Sequence, residues 1–245
     1  TTEQTSNLST SQIAVLTTGQ IAGLKASQIP VLTNALSTSQ LKAISTTTVA
    51  SLTTSQITAL TTAQVSNLAS KFSKNQIAAL TPAQAEGLTS TALAAMSTTQ
   101  LNAITTAELT QLTTAQLAGL SSTQLRALAS AQVAAMTTEQ VASLATSLST
   151  SQISALTTAQ ASGLTSSVLN ALSSAQVQAL SSSDITAIST SQLTGLSTNN
   201  TAALTVKQIG VMMYSQISSL GTKLTASQIR AMKQSQVQEL TTDIL

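Results

Sequence analysis

The chain contains no cysteine, no histidine and no tryptophan, and Phe72 and Tyr214 are its only aromatic residues. Without cysteine there is no disulfide and no thiolate nucleophile or metal ligand. Without histidine the usual base that activates a serine or threonine hydroxyl is missing. Two aromatics make no stacking platform for nucleic acid. Charge is equally sparse: nine bases against seven acids, 7% of residues, leave a net charge of +2. That balance is too small to argue for nucleic acid or an anionic membrane, and the pI of 9.2 reflects it rather than a basic patch. No apolar run approaches the roughly 18 residues of a transmembrane helix. No signal-peptide pattern is present. The chain opens on Thr1 rather than Met, which reads as a processed chain or a segment of a longer one.

What the chain does contain is one pattern of eight residues, repeated. Residues 112–120 read Leu-Thr-Thr-Ala-Gln-Leu-Ala-Gly-Leu, and residues 121–128 follow with Ser-Ser-Thr-Gln-Leu-Arg-Ala-Leu. The consensus is Ser/Thr, any, any, Gln, Ile/Leu/Val, any, small, Leu. Of 28 such octads, 24 begin with Ser or Thr, the exceptions being Lys25, Ala129, Met213 and Lys233; 22 carry Gln fourth; all 28 end in Leu, Ile or Met. Ser/Thr followed three residues later by Gln is a capping box. The hydroxyl accepts from the N3 amide and the Gln side chain reaches back to the cap amide. The flanking apolar residues, the closing Leu and the residue after Gln, form the hydrophobic staple. Gln12, Gln20, Gln56, Gln64, Gln116, Gln152, Gln160 and Gln192 are therefore read as structural cap residues.

One continuous helix does not fit. Eight residues leave a drift of roughly 80° per repeat, so the apolar positions would spiral around the axis instead of forming a stripe. Breaking the chain at every Ser/Thr leaves helices of about six residues, which cannot nucleate alone. Stability then has to come from stacking. A β-solenoid is the rival reading, since Thr, Ile and Val favour strands. Ala, Gln and Leu favour helices, and strict alternation is absent. The expectation is an all-α repeat solenoid, a single domain over 1–245, with one short capped helix per octad and several per coil.

Four-residue inserts interrupt the octads at 33–36, 69–72, 145–148 and 221–224. Each is about one helical turn and reads as one helix lengthened. The last three lie one 76-residue block apart, and the blocks 73–148 and 149–224 share their departures from consensus. Ala85 matches Ala161, Gly87 matches Gly163, Gly119 matches Gly195, Ala92 matches Val168, and Glu108 matches Asp184. Four to five helices per coil would make each block two coils, with the insert always on one side. Pro30, inside an octad, predicts a local break. Gly87, Gly119, Gly163 and Gly195, like Gly23, stand next to the closing Leu. Tight packing on a neighbouring coil and ordinary helix C-capping both account for them.

Catalytic chemistry finds no foothold. No acids pair at acid–base or metal-ligand spacing, Glu108 and Asp184 are explained as cap residues, and no glycine-rich phosphate loop occurs. Ser73-Lys74 has nothing beside it to depress a lysine pKa. Lys207, Lys223, Arg230 and Lys233 read as a solvated edge. No enzyme, cofactor or metal is expected. Val211-Met212-Met213-Tyr214 is the most apolar surface candidate, with core repair around a missing cap as the alternative. Met212, Met213, Tyr214 and Leu245 are the candidate self-contact residues.

The runs Leu-Thr-Thr-Ala-Gln-Leu/Val at 60–65 and 112–117 and Leu-Ser-Thr-Ser-Gln-Ile at 148–153 resemble repeat arrays of very large secreted proteobacterial surface proteins, adhesin-like or matrix proteins often exported by type I systems. The calcium-binding glycine/aspartate nonapeptides of such proteins are absent. The resemblance implies an extracellular or cell-surface structural role without catalytic residues. The expectation is a filament, sheath or adhesin stalk built by head-to-tail assembly of copies, in which Leu245 would precede Thr1 of the next. The alternative is a module that binds polysaccharide or ice through ranked Thr/Ser hydroxyls.

Overall fold

A computed structural model describes residues 2–32 and 36–238. Among them are 27 α-helices and five 3-10 turns, with no strand. The α-helices run from four residues, as in Lys74–Ile77, to seven, as in Thr62–Leu68. Each starts one residue after the first position of an octad. That cap residue is extended, and so in many octads is the closing residue before it: Leu112 has φ −70°, ψ 138° and Thr113 has φ −76°, ψ 159°. Two extended residues redirect the axis, and the next helix begins at once. The octad 25–32 departs from this. It forms two 3-10 turns, Ala26–Gln28 and Pro30–Leu32, so the break predicted at Pro30 is there.

The residues divide into two compact units, 1–128 and 129–245, each a helical repeat solenoid. Within each unit three sides close a coil. In the first, Thr38–Ala43, Thr62–Leu68, Pro82–Glu86 and Thr106–Gln111 stack into one side. Thr54–Thr58, Lys74–Ile77, Thr98–Leu101 and Ser122–Ala127 stack into the second. Thr46–Ala50, Ala69–Lys71, Ser90–Ala94 and Thr114–Leu117 make the third. Three corners complete a turn, so the expectation of four or five helices per coil is corrected: a two-residue extended corner redirects the chain by a third of a turn. The interior is filled by the fifth and eighth positions, such as Ile77, Leu101, Leu109 and Leu117, all nearly without exposure.

The inserts are corrected too. The residues 69–72 do not simply lengthen a helix. Ala69–Lys71 is a separate 3-10 turn that packs between Thr46–Ala50 and Ser90–Ala94, so four residues serve as a complete side. The insert 33–36 lies mostly outside the described residues. In the second unit the block 149–224 comprises nine α-helices and one 3-10 turn, Gly221–Lys223. Ten sides do not divide by three. The short side therefore moves on by one in each block: Ala145–Ser147 stacks with Ser166–Ala171, whereas Gly221–Lys223 stacks on Thr198–Ala203. It does not stay on one side, and a block is three coils and one side, not two coils.

Within each block, departures that the two blocks share touch one another. A Cβ on Gly119 would stand 2.8 Å from the Ser90 Cβ and 2.9 Å from the Ser90 carbonyl oxygen, and Ser90 opens the helix that carries Ala92. A Cβ on Gly195 would stand 2.6 Å from the Cβ of Ser166, which opens the helix that carries Val168. Gly87 faces Thr62 and Gly163 faces Thr138 in the same manner. All four glycines have negative φ, so none serves as a left-handed C-cap. At Gly23 the nearest atom would be 3.5 Å away.

Gly119→Ala is expected to cost about 1–3 kcal/mol by overpacking, whereas Gly23→Ala is neutral or stabilises by about 0.5–1 kcal/mol. Denaturant unfolding of the two variants checks this. Equal effects would show that coil spacing does not depend on the glycine.

Candidate functional site

The described side chains converge on a ladder of glutamines rather than on a catalytic cleft. In octad 205–212, the Thr205 amide donates to Gln208 Oε1 at 2.8 Å and the Gln208 amide donates to Thr205 Oγ1 at 3.2 Å. This is the reciprocal capping box. The other end of the same amide leaves the octad. Gln208 Nε2 donates to the Val177 and Leu180 carbonyls, each at 2.9 Å, in the preceding coil. Gln216 repeats this on Ile185 and Ile188, Gln160 on Val133 and Met136, and Gln84 on Ile57 and Leu60. The acceptors lie 28 and 31 residues back where the coil has three octads, as for Gln208. They lie 24 and 27 back where a short rung intervenes, as for Gln76 on Leu52 and Val49. One carboxamide thus closes the start of its own helix and the end of another.

Gln116 and Gln192 bridge to acceptors 28 and 30 residues back, Glu86 and Leu88 and Ser162 and Leu164. Gln152 has its cap bond at 2.8 Å and is 2% exposed. Gln64 has its cap bonds, and its Nε2 is buried without a partner among the described residues. Gln12, Gln20 and Gln56 show the cap half among the described residues. The four octads without a first hydroxyl keep the glutamine half: the amides of Lys25, Ala129, Met213 and Lys233 all donate to the Gln that follows.

Where Gln is missing, another residue covers part of its work. Asn200 is one methylene shorter. Its Nδ2 donates to Leu169 at 2.7 Å, and the Ser197 amide donates instead to Asn170 Oδ1 of the coil below, at 2.6 Å. In the octad with Ala92, the Thr89 amide donates to Ser66 Oγ at 3.2 Å. Two of the short rungs use lysine, and the third, Ala145–Ser147, has Ser147 at that place. Lys71 Nζ donates to the Lys42 and Ile44 carbonyls, and Lys223 Nζ to Thr194 and Leu196. Burial holds the Lys71 ammonium below the ordinary lysine pKa. Lys223 is therefore part of the ladder and not of a solvated edge. The only sequence signal for these lysines was their shared third place in an insert.

Glu108 is 2% exposed and accepts from the Thr105 amide at 2.6 Å; burial raises its carboxyl above the usual range, against the lowering effect of its Thr105 hydrogen bonds. Asp184 accepts from the Ser181 amide at 2.8 Å. Met212 is 3% exposed and belongs to the core, so it is corrected as a self-contact candidate. Met213 is 57% exposed, Tyr214 is half-buried, and Leu245 lies outside the described residues. Among the described residues no three His, Cys, Asp or Glu gather as a metal cluster, and no helix is long and apolar enough to cross a membrane.

With this geometry in view, the chain's similarity to known sequences is informative. The ALTTAQ repeat family model matches residues 34–70 and 110–146. Both stretches consist mainly of capping-box octads. Among curated proteins none matches the chain.

Gln208→Ala leaves a cap amide and two buried carbonyls without their partner and is expected to cost about 2–4 kcal/mol. Gln20→Ala removes a cap alone, about 0.5–2 kcal/mol. Ala142 precedes Thr165 as Ser66 precedes Thr89, so Ala142→Ser is expected to stabilise by about 0.5–1.5 kcal/mol. Thermal unfolding of the three variants tests the assignment, and it fails if Gln208→Ala is no worse than Gln20→Ala.

Proposed function

We propose that the chain is a non-catalytic structural protein that forms part of an extracellular filament, sheath or adhesin stalk. The observation that carries the reading is the sameness of the joint between coils. Each coil offers upward-facing carbonyls and downward-facing carboxamides in one register, so a coil of one copy matches a coil of another as well as it matches its own neighbour. Such a surface favours head-to-tail growth, since a heterologous contact that does not close on itself makes a fibre. The near-absence of charge and cysteine, and the resemblance to secreted surface arrays, support the location outside the cell.

A second reading, polysaccharide binding, has one observation behind it. Beside the short rung lies a groove of about 400 Å³ lined by Ser66, Asn67, Ser70, Thr89 and Thr91, the two lysines Lys42 and Lys71, and Ala92 and Ala95. Its first-position hydroxyl, Thr89, is also occupied as a cap.

Electron microscopy of the concentrated chain is expected to show filaments, with light scattering that grows with concentration. A monodisperse monomer at all concentrations would overturn the assembly reading. Retention on immobilised glycan that is lost in Asn67→Ala would favour the second reading instead.

A further inference from the structure

The glutamine ladder contains two acids, Glu108 and Asp184, at the same place in successive 76-residue blocks. Both are buried, at 2% and 1% exposure. Each gives one oxygen to its cap amide, as Gln does. The second arm of a Gln at this place is an NH2 that donates to carbonyls 28 and 31 residues back, as at Gln124 on Met96 and Leu93. For Glu108 those carbonyls belong to Leu80 and Ile77. Their octad, 73–80, lies one coil below, and the helix Thr106–Gln111 packs on Pro82–Glu86 of that coil. The Ile77 carbonyl also accepts from the Leu80 amide. A carboxylate has no hydrogen to offer a carbonyl at that register. A protonated carboxyl has one hydrogen to donate and keeps an oxygen for the cap. At Asp184 the corresponding oxygen, Oδ1, is buried without a partner.

We propose that Glu108 is a proton-operated joint between two coils: its carboxyl, when protonated, takes the place of the Gln amide and bonds the coil below, and its ionisation releases that bond. Few charges compete for this role. Within the unit, the elements beneath carry Glu86 and Lys74, both exposed, and the flanking helices Thr98–Leu101 and Thr114–Leu117 carry none. The sign follows from the raised folded value. Protonation is favoured by folding, so the stabilisation is complete below the ordinary glutamate pKa of about 4.3 and is lost as pH rises through the folded value. The joint tightens in acid.

The test compares the full chain with Glu108→Gln in thermal unfolding from pH 3.5 to pH 8, with a carbon-13 NMR titration of the Glu108 carboxyl. Glu108→Gln supplies a permanent donor. It is expected to melt about 2–4 °C above the parent chain at neutral pH, with the gap closing near pH 4, while the carboxyl titrates above the ordinary value. Glu86→Gln, at an exposed site, is the control and is expected to show no pH-dependent gap. A Glu108 carboxyl that titrates at or below the ordinary value, or a Glu108→Gln variant that tracks the parent chain at every pH, would overturn the proposal.

Discussion

A helix of four to seven residues consists almost entirely of ends. The first four N–H groups and the last four carbonyls of any α-helix have no partner inside it, so in these rungs nearly every backbone group needs one from elsewhere. Burying such groups unpaired would cost about 1–3 kcal/mol each. Gln meets both needs with one side chain. Its carbonyl oxygen accepts from the cap amide, and its NH2 donates to the closing carbonyls of the coil below, as Gln208 does on Val177 and Leu180. Glu has the reach without the donor, and Asn has the donor without the reach. That is a chemical reason for Gln at this place in 22 of 28 octads.

The same bridge fixes the coil. Its register is set by which carbonyls a carboxamide meets, and three octads return the chain to the right height. The short rung shows how far the scheme stretches. Four residues, Ala69–Phe72, hold a side as well as eight do, because the carbonyls of Ala69 and Phe72 accept from Gln100 of the coil above. Below, Lys71 stands in for the missing carboxamide. A flexible lysine suits this position, since its ammonium can donate to both carbonyls at once.

Much of this was legible in the residues. The capping box is a local device, so Ser/Thr and Gln three apart located most helix starts, and the eight-residue period excluded a continuous helix. The number of sides was not legible, because it depends on the angle of the corner at residues such as Leu112 and Thr113, and no side-chain pattern reports that angle. The second role of Gln was hidden for a related reason. The capping box already explained its presence, and a side chain with one sufficient explanation gives no hint of another. Lys71 and Lys223 were obscured by their scarcity. By contrast, the matched departures of the two blocks were visible, and only their contact was not: Gly119 with the helix of Ala92, and Gly195 with that of Val168.

These contacts bear on why the array tolerates departures at all. A repeat in which each rung is completed by the next coil can lose a group only where that coil supplies a substitute. Ser66 does so for Thr89, and Asn170 for Ser197. Such a chain should be monotonous, because most single changes at the fourth, fifth or eighth place leave two coils wanting. It should also be poor in charge, since the positions that face another coil are buried and a charge there has no counter-ion. Glu108 and Asp184 are the two acids that stand in the ladder, in equivalent places, over helices that carry Ala85 and Ala161 in place of a larger core residue. The smaller residue and the acid sit on facing helices of adjacent coils in both blocks, so the carboxyl and the closer packing beneath it form one unit, and neither is a free substitution.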